Sequence, residues 1–344
     1  MSPKLRRLLH VTVAKILYYS GALGLWRWFR RKVLHKDGIC VVGLHRILTK
    51  LEQERSNSLD GMIIRDVTYL GLLAYLRRRF QVVSLDDFLA DGAQRAAASK
   101  PQCIITFDDG WADTYSRAFP GLKQFGLPAV VFLATGAIGS CGGFWVEQVK
   151  RAWRTPSARL RMQSAMRDFS DKMAFTPTDL ESVVDWLKRM PTGRRTAILE
   201  RMLPTGSDSH RRDEIDAMLT WDQAREMSDA GVEIGAHTVT HPLLSYEDDA
   251  SVERELKLCK QTLEEKLGKE VRAFAYPNGD WNQRVRDQVA EIGYRCAFTT
   301  RSAWHQRGED PYTICRVLLH EGNITAHEGE FSAAMLHLTL VGWG

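Results

Sequence analysis

The sequence predicts an α/β protein built on a mostly parallel β-sheet or barrel. From residue 38 onward, short apolar runs rich in β-branched residues alternate with segments whose apolar residues recur at helical spacing. Such alternation is typical of parallel sheets, because each strand returns to the sheet through a helix. The chain of 344 residues is long enough to bury the core of one large domain or of two small ones.

The predicted elements follow one another in a regular order along the chain. Strands are predicted over Ile39–Leu44, Gln81–Ser84, Ile104–Phe107, Ala129–Leu133, Val232–Ala236, Ala273–Tyr276, Cys296–Thr299 and Ile314–Leu319. Helices are predicted over Val67–Phe80, Ala112–Phe125 and Asp249–Leu267, the last ending before Gly268. Between about residues 145 and 219 the alternation breaks. This Arg-rich stretch predicts a helical insertion, over the barrel mouth or beside it.

The basic character of the chain is confined to its N-terminus. Residues 1–36 hold nine of the 47 Lys and Arg residues and no acid, so the rest of the chain is slightly acidic. A basic face for nucleic acid is therefore not expected. The six cysteines are scattered and form no CxxC pair, which favours a reduced, cytoplasmic location.

Residues 1–37 predict a basic amphipathic helix. The longest uncharged run, Ile16–Trp26, has 11 residues, whereas a spanning helix needs ~20. No small-residue cleavage site of a signal peptide follows it. Its mixture of aromatic and basic residues predicts a helix lying on an anionic membrane surface, at the inner face of the membrane. The alternative is a helix packed on the domain, with its basic residues solvated.

Two adjacent carboxylates end the buried run that starts at Cys103. Alternation along a strand aims Asp108 and Asp109 in different directions, so the two acids can have different roles. Gly110 allows a tight turn directly after them. In α/β folds catalytic groups collect at the carboxyl ends of parallel strands, which favours a functional site here. The alternative is a helix N-cap at Asp109, a common use of an Asp after a strand.

Two histidines four residues apart, His237 and His241, follow another predicted strand. Histidines at this spacing can face one metal ion, on a helical turn or in a loop. Together with Asp109 they form a two-histidine, one-carboxylate set with open positions for water and substrate. Non-haem iron oxygenases use the same set. There, however, a histidine and the carboxylate lie close in sequence, whereas here the two histidines do.

Three motifs together resemble those of the polysaccharide deacetylase family, carbohydrate esterase family four. They are Thr106-Phe-Asp-Asp-Gly110, His237-x-x-x-His241-Pro-Leu and Phe274-Ala-Tyr-Pro-Asn-Gly279, with further matches at Leu44-His-Arg-Ile47 and Leu127–Leu133. The resemblance covers residues 38–344 apart from the insertion. It implies a distorted (β/α)7 barrel, with the metal and the acids at the carboxyl ends of the strands.

The resemblance also implies roles for individual residues. Asp108 is the expected general base, and Asp109, His237 and His241 are the expected ligands of a divalent metal ion, which we expect to be zinc. The loop that holds the oxyanion and substrate, chiefly through an amide N–H of Asn278, is expected at Tyr276, Pro277, Asn278 and Gly279. His45 is also expected beside the oxyanion or the substrate. His320 is the expected general acid, with His45 and His305 as the alternatives.

Two positions depart from the family pattern. Many members have an arginine that orients the catalytic aspartate at the place of Ala275. Here that role is vacant, or it falls to Arg272, Arg316 or Arg46. The aromatic residue that usually follows the proline of the third motif is replaced by Asn278. We expect this replacement to change the wall against which the substrate lies.

The resemblance implies a metal-dependent enzyme that removes N-acetyl groups from N-acetylhexosamine units of an exopolysaccharide, capsule or cell-wall glycan. One alternative is the same reaction on a lipid-linked sugar or glycolipid at a membrane surface, which the basic N-terminal helix favours. Another is an inactive glycan-binding relative. Retention of Asp108 beside the three metal-ligand candidates argues against this last alternative, because binding alone needs no general base.

Overall fold

The computed structural model of the chain describes residues 2–33, 38–90, 100–169, 179–203, 214–326 and 329–341. The strands are β1 (Cys40–Leu44), β2 (Arg46–Leu48), β3 (Ile63–Arg65), β4 (Gln81–Val82), β5 (Gln102–Phe107), β6 (Val130–Leu133), β7 (Glu233–Ala236), β8 (Ala273–Ala275), β9 (Cys296–Phe298) and β10 (Val317–Leu318). The helices are α1 (Pro3–Tyr19), α2 (Ala22–Lys32), α3 (Lys50–Arg55), α4 (Asp66–Arg79), α5 (Leu85–Leu89), α6 (Phe119–Phe125), α7 (Trp145–Trp153), α8 (Pro156–Phe169), α9 (Leu180–Lys188), α10 (Thr192–Met202), α11 (Trp221–Asp229), α12 (Asp249–Leu267), α13 (Gln283–Glu291), α14 (Glu321–Ile324) and α15 (Ala333–Val341).

Seven parallel strands form the central sheet, in the order β10-β1-β5-β6-β7-β8-β9, and β4 pairs with the start of β5. The segment before β10 bridges the two edges of this sheet. Ile314 pairs with Phe298 of β9, and three residues later Val317 pairs with Val42 of β1. The sheet is therefore curled into a distorted barrel, and the predicted fold class is confirmed.

Side-chain alternation along the strands separates two apolar layers. Small and large residues fill the inside of the barrel, among them Val41, Ile104, Phe132, Ala275 and Phe298. The opposite faces of the strands pack against the surrounding helices in the main core. Because the barrel is filled with side chains, it has no open pore, and polar groups collect where the strands end.

Two predicted helices differ from the structure in detail. The helix predicted over Ala112–Phe125 contains a π-helical stretch at residues 114–118, just before Pro120 in α6. Proline has no N–H to donate and crowds the preceding turn, which accounts for the wider turn here. The helical segment predicted for residues 1–37 forms two helices, and its residues 34–37 lie outside the described part of the chain. Gly21 adopts a left-handed conformation with φ 78° and separates α1 from α2.

The helix α1 packs against the C-terminal helix α15. Val11 and Ala14 of α1 are buried against Ala334 and Met335. The described part of residues 145–219 contains α7, α8, α9 and α10, whose apolar residues form a cluster separate from the barrel core. Among the described helices, none combines the length and the apolar character needed to cross a membrane.

Candidate functional site

The candidate site lies at the carboxyl ends of three strands of the central sheet. His45 follows β1, Asp108 and Asp109 follow β5, and His237 follows β7. With His241 from the loop after β7, these five side chains line one cavity of about 380 Å³. In the sheet β5 is directly beside β1, and only β6 lies between β5 and β7. The topology thus brings together residues that are up to 196 positions apart in the sequence.

Three side chains form a compact group of metal-ligand type. Asp109 Oδ1 lies 3.4 Å from the Nε2 atoms of both His237 and His241, and these two nitrogens are 3.2 Å apart. Ligands held ~2.1 Å from a tetrahedral ion are separated by about 3.4 Å, so the spacing fits a single metal ion. The Nδ1 of His237 lies 2.7 Å from the carbonyl oxygen of Ala275, to which it can donate. That hydrogen bond leaves Nε2 free to bind the metal.

Strained backbone positions these ligands. Asp109 and His241 have φ of 77° and 57°, in a region that few non-glycine residues adopt, and Thr238 between the histidines has φ 67°. Trp111 Nε1 donates a hydrogen bond of 2.9 Å to Asp109 Oδ2, which leaves Oδ1 directed at the histidines. Strain of this kind is concentrated at functional sites and is held by the surrounding packing.

Electrostatics favour a negatively charged Asp109. Burial would raise the pKa of this carboxyl, but hydrogen bonds with His237 and His241 hold it well below its usual value. In the described chain a second group, His305, Glu309 and Cys315, also has potential metal ligands. There the guanidinium of Arg301 donates to the Cys315 sulfur, at 2.9 Å from Nη2. A positive charge in that position opposes a bound cation, so this group does not fit a metal site.

Asp108 has a different partner. Its two carboxylate oxygens accept hydrogen bonds of 2.6 and 2.7 Å from the two terminal nitrogens of Arg316. Arg316 also donates through Nε to the carbonyl of Thr299, and its guanidinium lies over the ring of Phe132 inside the barrel. Burial would raise the pKa of Asp108, but the charge of Arg316 lowers it below its usual value.

The structure also shows where the other two candidate arginines lie. Arg46 is fully buried and pairs with Asp113 at 2.7 Å and with Asp216 at 3.1 Å. Its guanidinium stacks 4.0 Å above the ring of Trp111, the residue that holds Asp109. Arg272 pairs with Asp86 and Glu233 at the opposite ends of the strands. The carboxylate of Asp108 is therefore held by Arg316.

The three candidate histidines for the general acid are far apart. His45 lines the cavity, with Nε2 at 3.9 Å from Asp108 Oδ2. His320 instead caps α14, where its Nδ1 accepts a hydrogen bond of 3.1 Å from the amide of Gly322, and it does not line the cavity. His305 lies beside Ile39, at the start of β1 and away from the site. Of the three, the structure brings only His45 to Asp108.

The loop 276–279 reaches the cavity through one residue. Asn278 lines the cavity and has φ 56°. The amide of Gly279 donates to the carbonyl of Tyr276, and the amide of Tyr276 donates to Phe298. Pro277 has no N–H. The remaining amide of this loop, that of Asn278, donates to no backbone acceptor in the described chain. The ring of Tyr276 is buried in the core, so its side chain does not face a substrate.

The insertion and Phe144, the residue directly before it, contribute side chains that the sequence pattern did not indicate. Phe144, Trp145, Glu147, Lys188 and Arg195 line the same cavity. Phe144 packs on the ring of His241 at 4.7 Å between centroids. Burial, followed by the negative charge of Asp109, raises the pKa of Glu147 to about 7. The helices of the insertion therefore form one wall of the site, on the side of His241.

The chain is similar in sequence and in fold to known proteins. Residues 95–297 match a family model described as polysaccharide deacetylase. The Bacillus subtilis protein YxkH, provisionally named a polysaccharide deacetylase, is 20% identical over 232 residues. The alignment covers 67% of this chain and 56% of YxkH, so the chain spans about half the length of that relative.

Solved structures share the fold. The Streptococcus pyogenes deacetylase PplD, in complex with acetate, has a TM-score of 0.56 at 19% identity, over 85% of this chain and 96% of PplD. IcaB from Ammonifex degensii has a TM-score of 0.55 at 18% identity, over 90% of this chain and 98% of IcaB. A de-N-acetylase from Aggregatibacter actinomycetemcomitans has a TM-score of 0.53 at 16% identity, over 88% and 100% of the two chains.

Proposed function

This chain belongs to the polysaccharide deacetylase family, and from that membership we propose that it is a metal-dependent carbohydrate N-deacetylase. Its proposed substrates are N-acetylhexosamine units of an exopolysaccharide, capsule or cell-wall glycan. One observation supports this most strongly. The group Asp109, His237 and His241 shares one cavity with Asp108, whose carboxylate is not part of the group. Hydrolysis of an acetamide needs a group that polarises the acetyl carbonyl and a separate base that accepts a proton from water.

Asp108 is the proposed general base. Its pKa lies below the usual value because Arg316 stabilises the carboxylate, so it is ionised at neutral pH. The two parallel hydrogen bonds with Arg316 fix the carboxylate plane and leave a lone pair for the proton of the attacking water. A divalent metal ion, zinc in this proposal, held by Asp109, His237 and His241, would polarise the acetyl carbonyl and make water more acidic.

We assign stabilisation of the oxyanion to the amide of Asn278 and protonation of the leaving nitrogen to His45. The Asn278 N–H can donate to the oxygen that becomes negatively charged when water adds to the carbonyl carbon. As the carbon–nitrogen bond breaks, the sugar nitrogen needs a proton to leave as an amine. His45 lies 3.9 Å from Asp108 on the cavity wall, and we assign it this donation. The products are acetate and a free amino sugar.

Acetate release together with metal content tests the proposal. The metal-free protein and the zinc-reconstituted protein are assayed on N-acetylated oligosaccharides, with Asp108→Asn as the inactive control. We expect acetate only from the reconstituted protein with Asp108 intact. Metal-independent acetate release would contradict the proposed metal dependence. Glycan binding without acetate release, in protein with full metal occupancy, would instead support the glycan-binding alternative.

A second candidate is the same reaction on a lipid-linked sugar or glycolipid at the inner face of the cytoplasmic membrane. The observation that favours it is the surface of α1 and α2. Among the described residues, 11 of the 18 exposed large apolar side chains lie on α1, on α2 or directly after α2, as Leu5, Leu8, Leu9, Val13, Ile16, Tyr19, Leu25, Trp26, Trp28, Phe29 and Val33. Soluble proteins rarely expose so many in one place, and an interfacial lipid layer would cover them.

A further inference from the structure

Arg195 of α10 is a buried cation on the cavity wall. Only 3% of its surface is exposed, and it lines the cavity beside Trp145. Its guanidinium lies 5.3 Å from the centroid of the Trp145 ring. It donates to two neutral acceptors, the carbonyl of Met190 at 3.4 Å and the hydroxyl of Thr192 at 3.0 Å. No carboxylate in the described chain lies within ion-pair distance of it.

The other two buried arginines in the described part of the chain have a different environment. Arg46 and Arg316 are both fully buried, and each pairs with at least one buried aspartate. Two carboxylates, Glu247 and Glu255, act on Arg195 by their charge without an ion pair in contact. The Oε1 of Glu247 accepts hydrogen bonds of 2.7 Å from both the amide and the hydroxyl of Thr192. The Oε2 of Glu255 accepts from the amides of Val239 and Thr240. A buried cation with no carboxylate in contact is costly, and an anion supplied from outside would reduce that cost.

A second cation from the insertion lies at the same wall. Lys188, at the end of α9, lines the cavity and is 3.4 Å from Asn278 Oδ1, to which its amine can donate. It therefore connects the insertion to the loop that carries the Asn278 amide, the proposed donor to the oxyanion. Arg195, Lys188 and the ring of Trp145 together offer two positive charges and an aromatic face. Rings of this kind stack on sugars, and guanidinium groups bind carboxylates and phosphates.

We propose that Arg195 and Lys188 form a subsite for an anionic substituent, carboxylate or phosphate, on the glycan whose N-acetyl group is removed. This inference rests on the proposed deacetylase function and specifies its substrate class. The anion would lie on the insertion side of the cavity, next to the reacting sugar. A carboxylate would come from an acidic sugar or a lactyl ether, and a phosphate from a sugar phosphate or a lipid-linked sugar.

The test compares three soluble N-acetylated substrates. A neutral chitotetraose, a uronic-acid-containing tetrasaccharide and N-acetylglucosamine 1-phosphate are assayed for kcat/KM, and the two anionic arms distinguish carboxylate from phosphate. We expect at least one anionic substrate to be preferred over the neutral one. Arg195→Gln should reduce that preference by about tenfold or more, the scale for losing one charged hydrogen bond. Arg195→Lys should restore part of it, because the charge remains.

Arg194→Gln is the matched control, since Arg194 is exposed on the same helix and does not line the cavity. It should keep the preference. If Arg195→Gln does not fold, Lys188→Gln at the rim replaces it, with the same expected direction. An unchanged preference in both variants would overturn the subsite. Should no substrate release acetate, the deacetylase proposal fails separately. Equal calorimetric affinity of the native protein and Arg195→Gln for both anionic ligands would then overturn the subsite itself.

Discussion

Arg316 and Asp108 meet in a bidentate ion pair, with hydrogen bonds of 2.6 and 2.7 Å, although 207 residues separate them in the sequence. Arg316 lies just before β10, in the segment that joins the two edges of the barrel. The contact that holds the proposed base therefore depends on the same chain segment that bridges the sheet. Family members commonly supply such an arginine from the position that Ala275 occupies here.

Replacement of Arg316 by lysine should separate orientation from charge. Lysine keeps the positive charge but cannot make two parallel hydrogen bonds. We expect kcat to fall by about 10–100-fold, the scale expected for a misplaced catalytic group, with metal content unchanged. In Arg316→Gln the charge is lost as well, so the pKa of Asp108 rises. Because the active form carries ionised Asp108, the acidic limb of the pH–rate profile should then move to higher pH.

The strand pattern sufficed to predict a parallel sheet or barrel, because burial and periodicity are properties of neighbouring residues, and the resemblance of the motifs implied the barrel. The same is true of Asp108-Asp109 and of His237 with His241, which are close in sequence. The choice of Arg316 among three arginines could not be predicted. It depends on which strand ends beside β5 and on how the sheet curls, and these are contacts between distant residues.

The positions of the insertion residues and of the His320 ring also could not be predicted from the sequence. Glu147 and Arg195 lie on helices with no motif, and only tertiary packing brings them to the cavity. His320 follows the last strand, as the motif suggests, but its backbone adopts an N-cap conformation with φ −146° and ψ 164°. Its ring therefore turns back to Gly322. A local sequence pattern does not reveal such a choice between capping a helix and facing the site.

Substitutions at the two adjacent aspartates should separate their roles. Asp108→Asn keeps the proposed ligands Asp109, His237 and His241, so metal content should stay near normal while turnover falls by at least ~100-fold, the usual scale for a general base. Asp109→Asn should lower metal affinity and activity together. Elemental analysis beside acetate release checks both. Metal loss in Asp108→Asn with retention in Asp109→Asn would mean that the two roles are reversed.

Removal of one proposed ligand at a time tests the metal group. His237→Ala should weaken metal retention strongly, because two remaining ligands rarely hold a catalytic ion. His305→Ala is the control, since His305 belongs to the other group of potential ligands, beside Arg301. Elemental analysis after dialysis gives the occupancy. Full occupancy in His237→Ala, or loss of the metal in His305→Ala alone, would contradict the assignment.

The choice of general acid is tested by a pair of histidine variants. His45→Gln removes the proton donor that lines the cavity, so kcat should fall by ~100-fold or more. The loss should be smaller on a substrate with an activated leaving group, such as an aryl acetamide, because such a group needs less help from an acid. His320→Gln should act mainly on stability, since that ring caps α14. A larger loss of kcat in His320→Gln than in His45→Gln would contradict this assignment.

The exposed face of α2 is expected to bind anionic lipid. Leu25 and Trp28 are 66% and 57% exposed, and the transfer of each into an apolar layer contributes ~2 kcal/mol. Leu25→Gln with Trp28→Gln should therefore weaken sedimentation with phosphatidylglycerol vesicles by at least ~10-fold, and added salt should weaken the binding of the native protein. Leu160→Gln on α8, where Leu160 is 67% exposed, is the matched control. Equal sedimentation of all three proteins would show that α1 and α2 belong only to the fold.

Glu147 should give the metal-free protein a pH-dependent loss of stability. Burial, and then the charge of Asp109, raises the pKa of this carboxyl from its usual 4.5 to about 7 in the folded state. The folded protein therefore holds this proton more tightly than the unfolded chain does. The cost is absent below about pH 4.5, develops between there and pH 7, and is complete above that. A difference of this size corresponds to about 3 kcal/mol.

Glu147→Gln removes the ionisation and can still accept the hydrogen bond of 3.0 Å from the Phe144 amide. Relative to the native protein, the variant should therefore have a larger free energy of unfolding at pH 8, by up to about 3 kcal/mol, and nearly the same one at pH 4.5. Urea unfolding at the two pH values measures this, with Glu265→Gln on the exposed face of α12 as the control. Zinc should reduce the difference, because a cation beside Asp109 offsets the charge that helps to raise the pKa of Glu147. Parallel stability curves for the native protein and Glu147→Gln would show that this carboxyl is ionised at no cost in the folded state.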